Sequence, residues 1–150
     1  MAKFKYRFQT LLNVKENMEK NVKNELGIAV QELEKQKEIL RKLQYEIESQ
    51  ENEYRYEGER KTVILKLRQR LEYIKLIQER KEQQQQRVKE AKRNVDKIRE
   101  RLIEAMKEKK VLENLKEKEW IVFKKEQEKL EQLLVDELVN YKESKKTDED

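Results

Sequence analysis

Residues 26–54 read LGIAVQELEKQKEILRKLQYEIESQENEY, and the spacing inside this stretch decides the fold. Leu26, Ala29, Leu33, Gln36, Leu40, Leu43, Ile47, Gln50 and Tyr54 follow one another at alternating intervals of three and four. A helix with such a seam presents a and d positions of a heptad to a partner helix. Upstream, Leu11, Val14, Met18, Val22 and Leu26 run on at 3-4-4-4, which predicts a locally relaxed supercoil. One helix over about residues 5–56 accommodates both runs.

Working outward, a second seam begins at Leu67, Ile74 and Ile77 and turns polar at Lys81 and Gln84. It resumes as Val88, Ala91, Val95, Ile98, Leu102, Ala105 and Leu112, with Phe123, Leu130 and Leu133 further on. Gly58 lies between the two seams, and glycine is the residue best suited to end a helix and reverse the chain. The reading is a turn over about 57–62, with Thr62 as the N-cap of a second helix over about 62–141. A disordered acidic tail over about 142–150 follows. A competing turn lies in the glutamine run at 82–87, which would give arms of nearly equal length. Glutamine is a good helix former, and nothing in that run supplies positive φ. Gly27 falls within the first seam and costs about 1 kcal/mol against alanine without ending the helix.

The composition agrees with this pattern. Charged residues make up 46% of the chain and apolar ones 35%, with two glycines and no proline. That apolar content lines a seam but does not fill a thick core, and few residues are left for loops. The expected fold is therefore all-α: a long two-helix antiparallel coiled-coil hairpin, its second helix longer than its first, forming a single domain.

The asymmetry bears on function. Reversal at Gly58 pairs the first residues of the chain near residue 112 and leaves roughly 28 residues of the second helix without a hairpin partner, about 42 Å of helix. That overhang carries Leu115, Trp120, Phe123, Leu130, Leu133, Leu134 and Leu138. An apolar stripe of this extent marks an interaction site; a partner protein or a second copy of the chain would cover it.

Catalysis finds little support. The sequence has no histidine and no cysteine, so the usual proton shuttle, thiol nucleophile and soft metal ligands are missing. No GxxxxGK[ST] loop is present, and carboxylates on a solvated helix lack the pocket that would shift their pKa. No enzyme activity, cofactor or metal is expected. Net charge is +5, from 37 basic and 32 acidic residues that interleave; a phosphate-binding surface needs cations gathered on one face, so nucleic-acid binding is disfavoured. The absence of cysteine fits a reducing compartment. No run of about 18 apolar residues would span a bilayer, and the first residues lack the apolar middle of a signal peptide. A cytoplasmic protein is the expectation.

Tyrosines gather near the proposed turn. Tyr54 is a seam residue, whereas Tyr45 falls at f, Tyr56 at c, Tyr73 at g and Leu76 at c. Tyrosine buries area at small entropic cost while keeping a polar end, so this cluster is read as a second docking patch. Single scattered apolar side chains on a surface need no such reading.

The opening Phe4-x-Tyr6-x-Phe8-x-x-Leu11-Leu12-x-Val14-Lys15-x-x-x-Glu19, together with Asn52-Glu53-Tyr54-Arg55 before the turn, resembles the FliJ family of the bacterial flagellar type III export apparatus. The resemblance covers nearly the whole chain. It implies a protein similar to the coiled-coil stalk of the gamma subunit of rotary ATPases. The end bearing both termini would insert into the hexameric flagellar export ATPase ring, and the half nearer the turn would contact the membrane-embedded export gate protein FlhA. Export chaperones are possible further partners. Carried over by position, the gate contact would comprise Leu43, Ile47, Gln50, Tyr54 and Leu76, with a charged Arg80 where the family leads one to expect an apolar residue. The ATPase contact would comprise Phe4, Phe8, Leu11, Leu12, Trp120, Phe123, Leu130 and Leu133. The place implied is the cytoplasmic face of the cell membrane at the flagellar base. Two other readings stand beside this one: the equivalent stalk of a virulence-type III secretion system, and a generic coiled-coil scaffold or dimeric spacer.

Overall fold

A computed structural model describes residues 2–60 and 63–149. Among these the regular elements are two helices, α1 (Gln9–Glu59) and α2 (Ile64–Glu149). They pack antiparallel, and α2 is the longer, so the chain is the expected two-helix coiled-coil hairpin. The helices form two compact units: Glu19–Glu104, and the residues before Glu19 together with those from Ala105 onward.

In the unit Glu19–Glu104 the seam is strict. On α1 the residues at 19, 22, 26, 29, 33, 36, 40, 43, 47, 50, 54 and 57 are buried or half-buried, and on α2 those at 67, 70, 74, 77, 81, 84, 88, 91, 95, 98 and 102. Both sets alternate intervals of three and four. Val22, Ala29, Leu33, Val95 and Ile98 form one core cluster, flanked by Leu26, Val30, Val88, Ala91 and Leu102. Ile77 is fully enclosed, with no exposed surface; burying such a side chain contributes about 1.5–3 kcal/mol. The antiparallel register is marked by polar pairs across the seam. Arg101 binds Glu25 at 2.8 Å, Gln84 reaches Gln36, Tyr73 donates to Glu46, and Arg70 reaches both Gln50 and Glu57.

Two features of this unit and the adjoining turn differ from the sequence reading. The polar stretch at Lys81 and Gln84 does not interrupt the seam. Gln84 is 3% exposed, and its amide Nε2 donates to the Gln36 carbonyl at 2.9 Å and to Gln36 Oε1 at 2.7 Å. A buried polar layer of this kind fixes register, and α2 runs unbroken through the glutamine run, which is therefore not a turn. Gly58, in turn, stays inside α1, its φ outside the left-handed region. Arg60 N–H closes the last turn onto the Tyr56 carbonyl at 3.2 Å. The chain reverses between Glu59 and Ile64; the proposed cap Thr62 lies outside the described residues.

The other unit contains the chain ends. Here the seam positions on α1 are Leu12 and Lys15, and on α2 they are Ala105, Lys109, Leu112, Lys116, Glu119 and Phe123. Leu11, Val14 and Met18 are exposed, so the 3-4-4-4 run coincides with the seam only at its end, Val22 and Leu26. Lys15 and, in the neighbouring unit, Glu19 hold the heptad positions instead, because each has an ionic partner: Lys15 meets Glu108 at 2.7 Å and Glu19 meets Lys23 at 3.0 Å. Helix α1 starts at Gln9 rather than near residue 5. Residues 2–8 are not helical and lie back along α2 as an arm. At the other end α2 continues as helix through 142–149, where a disordered tail is the sequence expectation. That segment holds no glycine or proline, and Thr147 Oγ1 donates to the Glu143 and Ser144 carbonyls within the helix.

Candidate binding surfaces

The arm owes its path to alternation. Phe4, Tyr6 and Phe8 recur at every second residue, the period of extended chain, and all three turn to one side. Tyr6 is buried against Leu12 and Leu112, with Phe4 and Phe8 flanking this small core. Its hydroxyl donates to the Leu112 carbonyl at 2.8 Å. Burial, then the nearby Glu119 carboxylate, raises the phenol pKa above its usual 10.0. The Phe4 ring meets Trp120 edge-on at 5.3 Å and Phe123 at 5.4 Å, and Trp120 stacks on Phe123 at 5.9 Å. Each such pair adds about 0.5–1.5 kcal/mol beyond the area buried. The arm carries its own cations, with Arg7 lying over the Phe8 ring at 4.6 Å.

The residues assigned by sequence to an ATPase contact thus separate into four groups. Phe4, Phe8, Trp120 and Phe123 belong to an intramolecular aromatic cluster that leaves part of each ring open. Leu12 is sealed in the core, while Leu11 faces outward beside Val14 and Met18. Leu130 and Leu133 lie beyond the arm's reach, in a region of α2 where every residue over 128–149 is exposed. Leu130, Leu133, Leu134 and Leu138 are 54–61% exposed. At 100° per residue, Leu130, Leu133, Leu134, Leu138 and Tyr141 share one broad face of the helix, and Val135 and Val139 widen it further. This is the uncovered stripe expected from the asymmetric hairpin, shortened at its near end by the arm, which covers part of Trp120 and Phe123. Tyr6 is the residue the sequence reading passed over, although the Phe-x-Tyr-x-Phe alternation signals it.

The residues assigned to a gate contact lie in the unit Glu19–Glu104. Leu76 is exposed, Leu43, Gln50 and Tyr54 are half-buried along the seam, and Ile47 is buried in it. The surrounding tyrosines are Tyr45 and Tyr56, both exposed, and Tyr73, whose hydroxyl donates to Glu46; that bond holds its pKa above the usual 10.0. Arg70 anchors the same region with bidentate bonds to Glu57 at 2.9 and 2.6 Å and a third to Gln50 at 2.6 Å. The bond from Arg70 holds the Glu57 carboxyl below its usual 4.5. Arg80 is exposed.

Among the described residues no group of histidine, cysteine or carboxylate side chains could hold a metal ion, and no helix is long and apolar enough to cross a membrane. Each of the two units thus leaves large apolar side chains exposed. A family model described as flagellar FliJ protein matches residues 4–149, nearly the whole chain. No curated protein and no solved structure matches it.

Proposed function

The chain belongs to the FliJ family of flagellar proteins, and from that premise we propose that it acts as the central stalk of the flagellar export ATPase ring and couples that ring to the export gate. The family is one of non-catalytic components of flagellar protein export; the stalk role, the ring and the gate are the reading offered here. The observation that carries it is the bare apolar face of α2. Leu130, Leu133, Leu134 and Leu138 stand exposed on a stretch of α2 that no other part of the described residues covers. Side chains of this size in solvent call for a protein surface around them, and a ring of subunits would enclose so broad a face. The Phe4, Trp120 and Phe123 cluster, Phe8 and outward-facing Leu11 would form the collar of the same contact, with Leu12 holding the collar in place from the core.

The contact with FlhA would lie on the other unit. Leu76 would reach the gate directly, and the open edges of Leu43, Gln50 and Tyr54 would flank it. Ile47, enclosed by the two helices, would set their positions rather than touch the partner. The protein would work at the cytoplasmic face of the membrane at the flagellar base.

Capture of the cognate ATPase and stimulation of its turnover test the reading. Leu130→Glu/Leu133→Glu changes only exposed positions, so the variant should melt like the wild type and lose both capture and stimulation. Wild-type stimulation by this folded variant would remove the stalk reading. A stable dimer in light scattering that the same variant breaks would instead favour the scaffold.

A further inference from the structure

Basic and acidic residues alternate along most of this chain, but not at the turn. Between Glu59 and Glu72 the sequence holds five basic residues and no acid. Within that window Val63, Ile64 and Leu65 are consecutive, apolar and 63–71% exposed. They lead from the turn into α2, ahead of the first seam position at Leu67, and face solvent. Lys66 and Arg68 project from exposed positions just beyond, and Arg68 forms no ion pair among the described residues. On the near side Arg60 lies over the half-exposed Tyr56 ring at 4.6 Å.

From this juxtaposition we propose that the described residues flanking the turn, Tyr56 and Arg60 on α1's side and Val63, Ile64, Leu65, Lys66 and Arg68 on α2's, form a peripheral membrane contact whose occupant is an anionic phospholipid surface. Charge complementarity selects the occupant: cations on both sides of an apolar triad meet headgroup phosphates while the triad enters the headgroup–acyl boundary. Tyr56 adds an amphipathic ring of the kind that settles at that interface. Nucleic acid would satisfy the cations alone and leave three large apolar side chains in water. With no helix able to cross a membrane among the described residues, the contact is lateral and reversible. Arg70 takes no part, since Glu57 and Gln50 occupy it. The proposal does not depend on the ATPase contact, which uses other residues.

Co-sedimentation with vesicles tests it, using mixed phosphatidylglycerol and phosphatidylcholine against phosphatidylcholine alone. The full-length chain should bind the anionic vesicles, release with added salt and ignore the neutral ones. A cation near a charged leaflet contributes about fivefold in binding, so Lys66→Gln/Arg68→Gln should weaken it about 30-fold. Ile64→Glu/Leu65→Glu should abolish it, and Leu130→Glu/Leu133→Glu, at the other apolar surface, should leave it unchanged. The chain has no cysteine, so Leu65→Cys accepts a single environment-sensitive fluorophore, whose emission should shift to the blue on anionic vesicles. The proposal is overturned if the wild type stays in the supernatant, if it binds neutral vesicles equally, or if the Leu130/Leu133 variant alone loses binding. The first of those outcomes would assign the turn to a protein partner.

Discussion

The buried glutamine pair permits a sharp test of what holds the two helices in register. Gln84 donates two hydrogen bonds to Gln36 from a site that is almost wholly enclosed, and each is worth about 0.5–1.5 kcal/mol net. In Gln84→Ala both are lost, and a void adds about 1–2 kcal/mol. Nothing polar is stranded, however. The Gln36 carbonyl lies within α1 and keeps its helical donor, and the half-buried Gln36 amide can turn to water. The expected loss is therefore about 2–5 kcal/mol. Gln84→Leu forfeits the same bonds but refills the space and gains about 1.5–3 kcal/mol of apolar burial, so it should fall within about 1 kcal/mol of wild type. Gln36→Leu/Gln84→Leu should exceed wild type, as replacement of buried polar groups by packed apolar ones often does. Guanidinium titrations followed by circular dichroism at the helix band read all three. If Gln84→Leu loses as much as Gln84→Ala, the hydrogen bonds are a principal source of stability, and the assignment of the layer to register fails.

Two further predictions concern ionisable groups. The raised pKa of Tyr6 means that its contribution is complete below the usual value of 10.0 and is lost as pH rises through the folded value. The arm should release in strong alkali, and the single tryptophan, Trp120, should report this by a change in fluorescence; Tyr6→Phe should lack the alkaline step and show several-fold greater acrylamide quenching at neutral pH, and an unchanged variant would show that the hydroxyl does not hold the arm. The lowered pKa of Glu57 works in the opposite direction: its contribution is present above the usual 4.5 and is lost as pH falls through the folded value. Carbon-detected titration should place Glu57 below the usual 4.5, and Arg70→Met should raise it back toward that value; if Glu57 of the wild type is not lowered, the bidentate pair does not persist in solution.

Much of this architecture is legible in the residues themselves. From Leu26 to Tyr54 the apolar and glutamine positions follow the heptad without a break, and the hairpin with its longer second helix follows from them. The errors come from treating polarity as a break in the seam. Leu11, Val14 and Met18 imitate a seam on α1, while the true positions hold Lys15 and Glu19, whose ionic partners sit 93 residues away at Glu108 and four residues away at Lys23. Gln84 misleads in the same way, since only the facing helix reveals that Gln36 satisfies it. The arm is different. Its signal is local, a period of two from Phe4 to Phe8 ahead of a period of three and a half, but its destination on Leu112, Trp120 and Phe123 depends on where α2 runs. Gly58 marks the neighbourhood of the turn without taking the conformation that glycine makes available.

The unbroken alternation of threes and fours on α2 between Leu67 and Leu102 acts as a phase that changes in chain length must respect. One inserted residue turns everything after it by about 100° and sends the next Ile or Val of the stripe toward solvent, much as a single extra nucleotide garbles a message downstream. Seven inserted residues restore the phase. Beyond residue 127 no such bookkeeping applies, since no opposing helix reads the pattern. Changes in length should therefore survive in sevens within the paired stretch, provided α1 gains the same seven opposite them so that the polar pairs stay matched, and in any number past it.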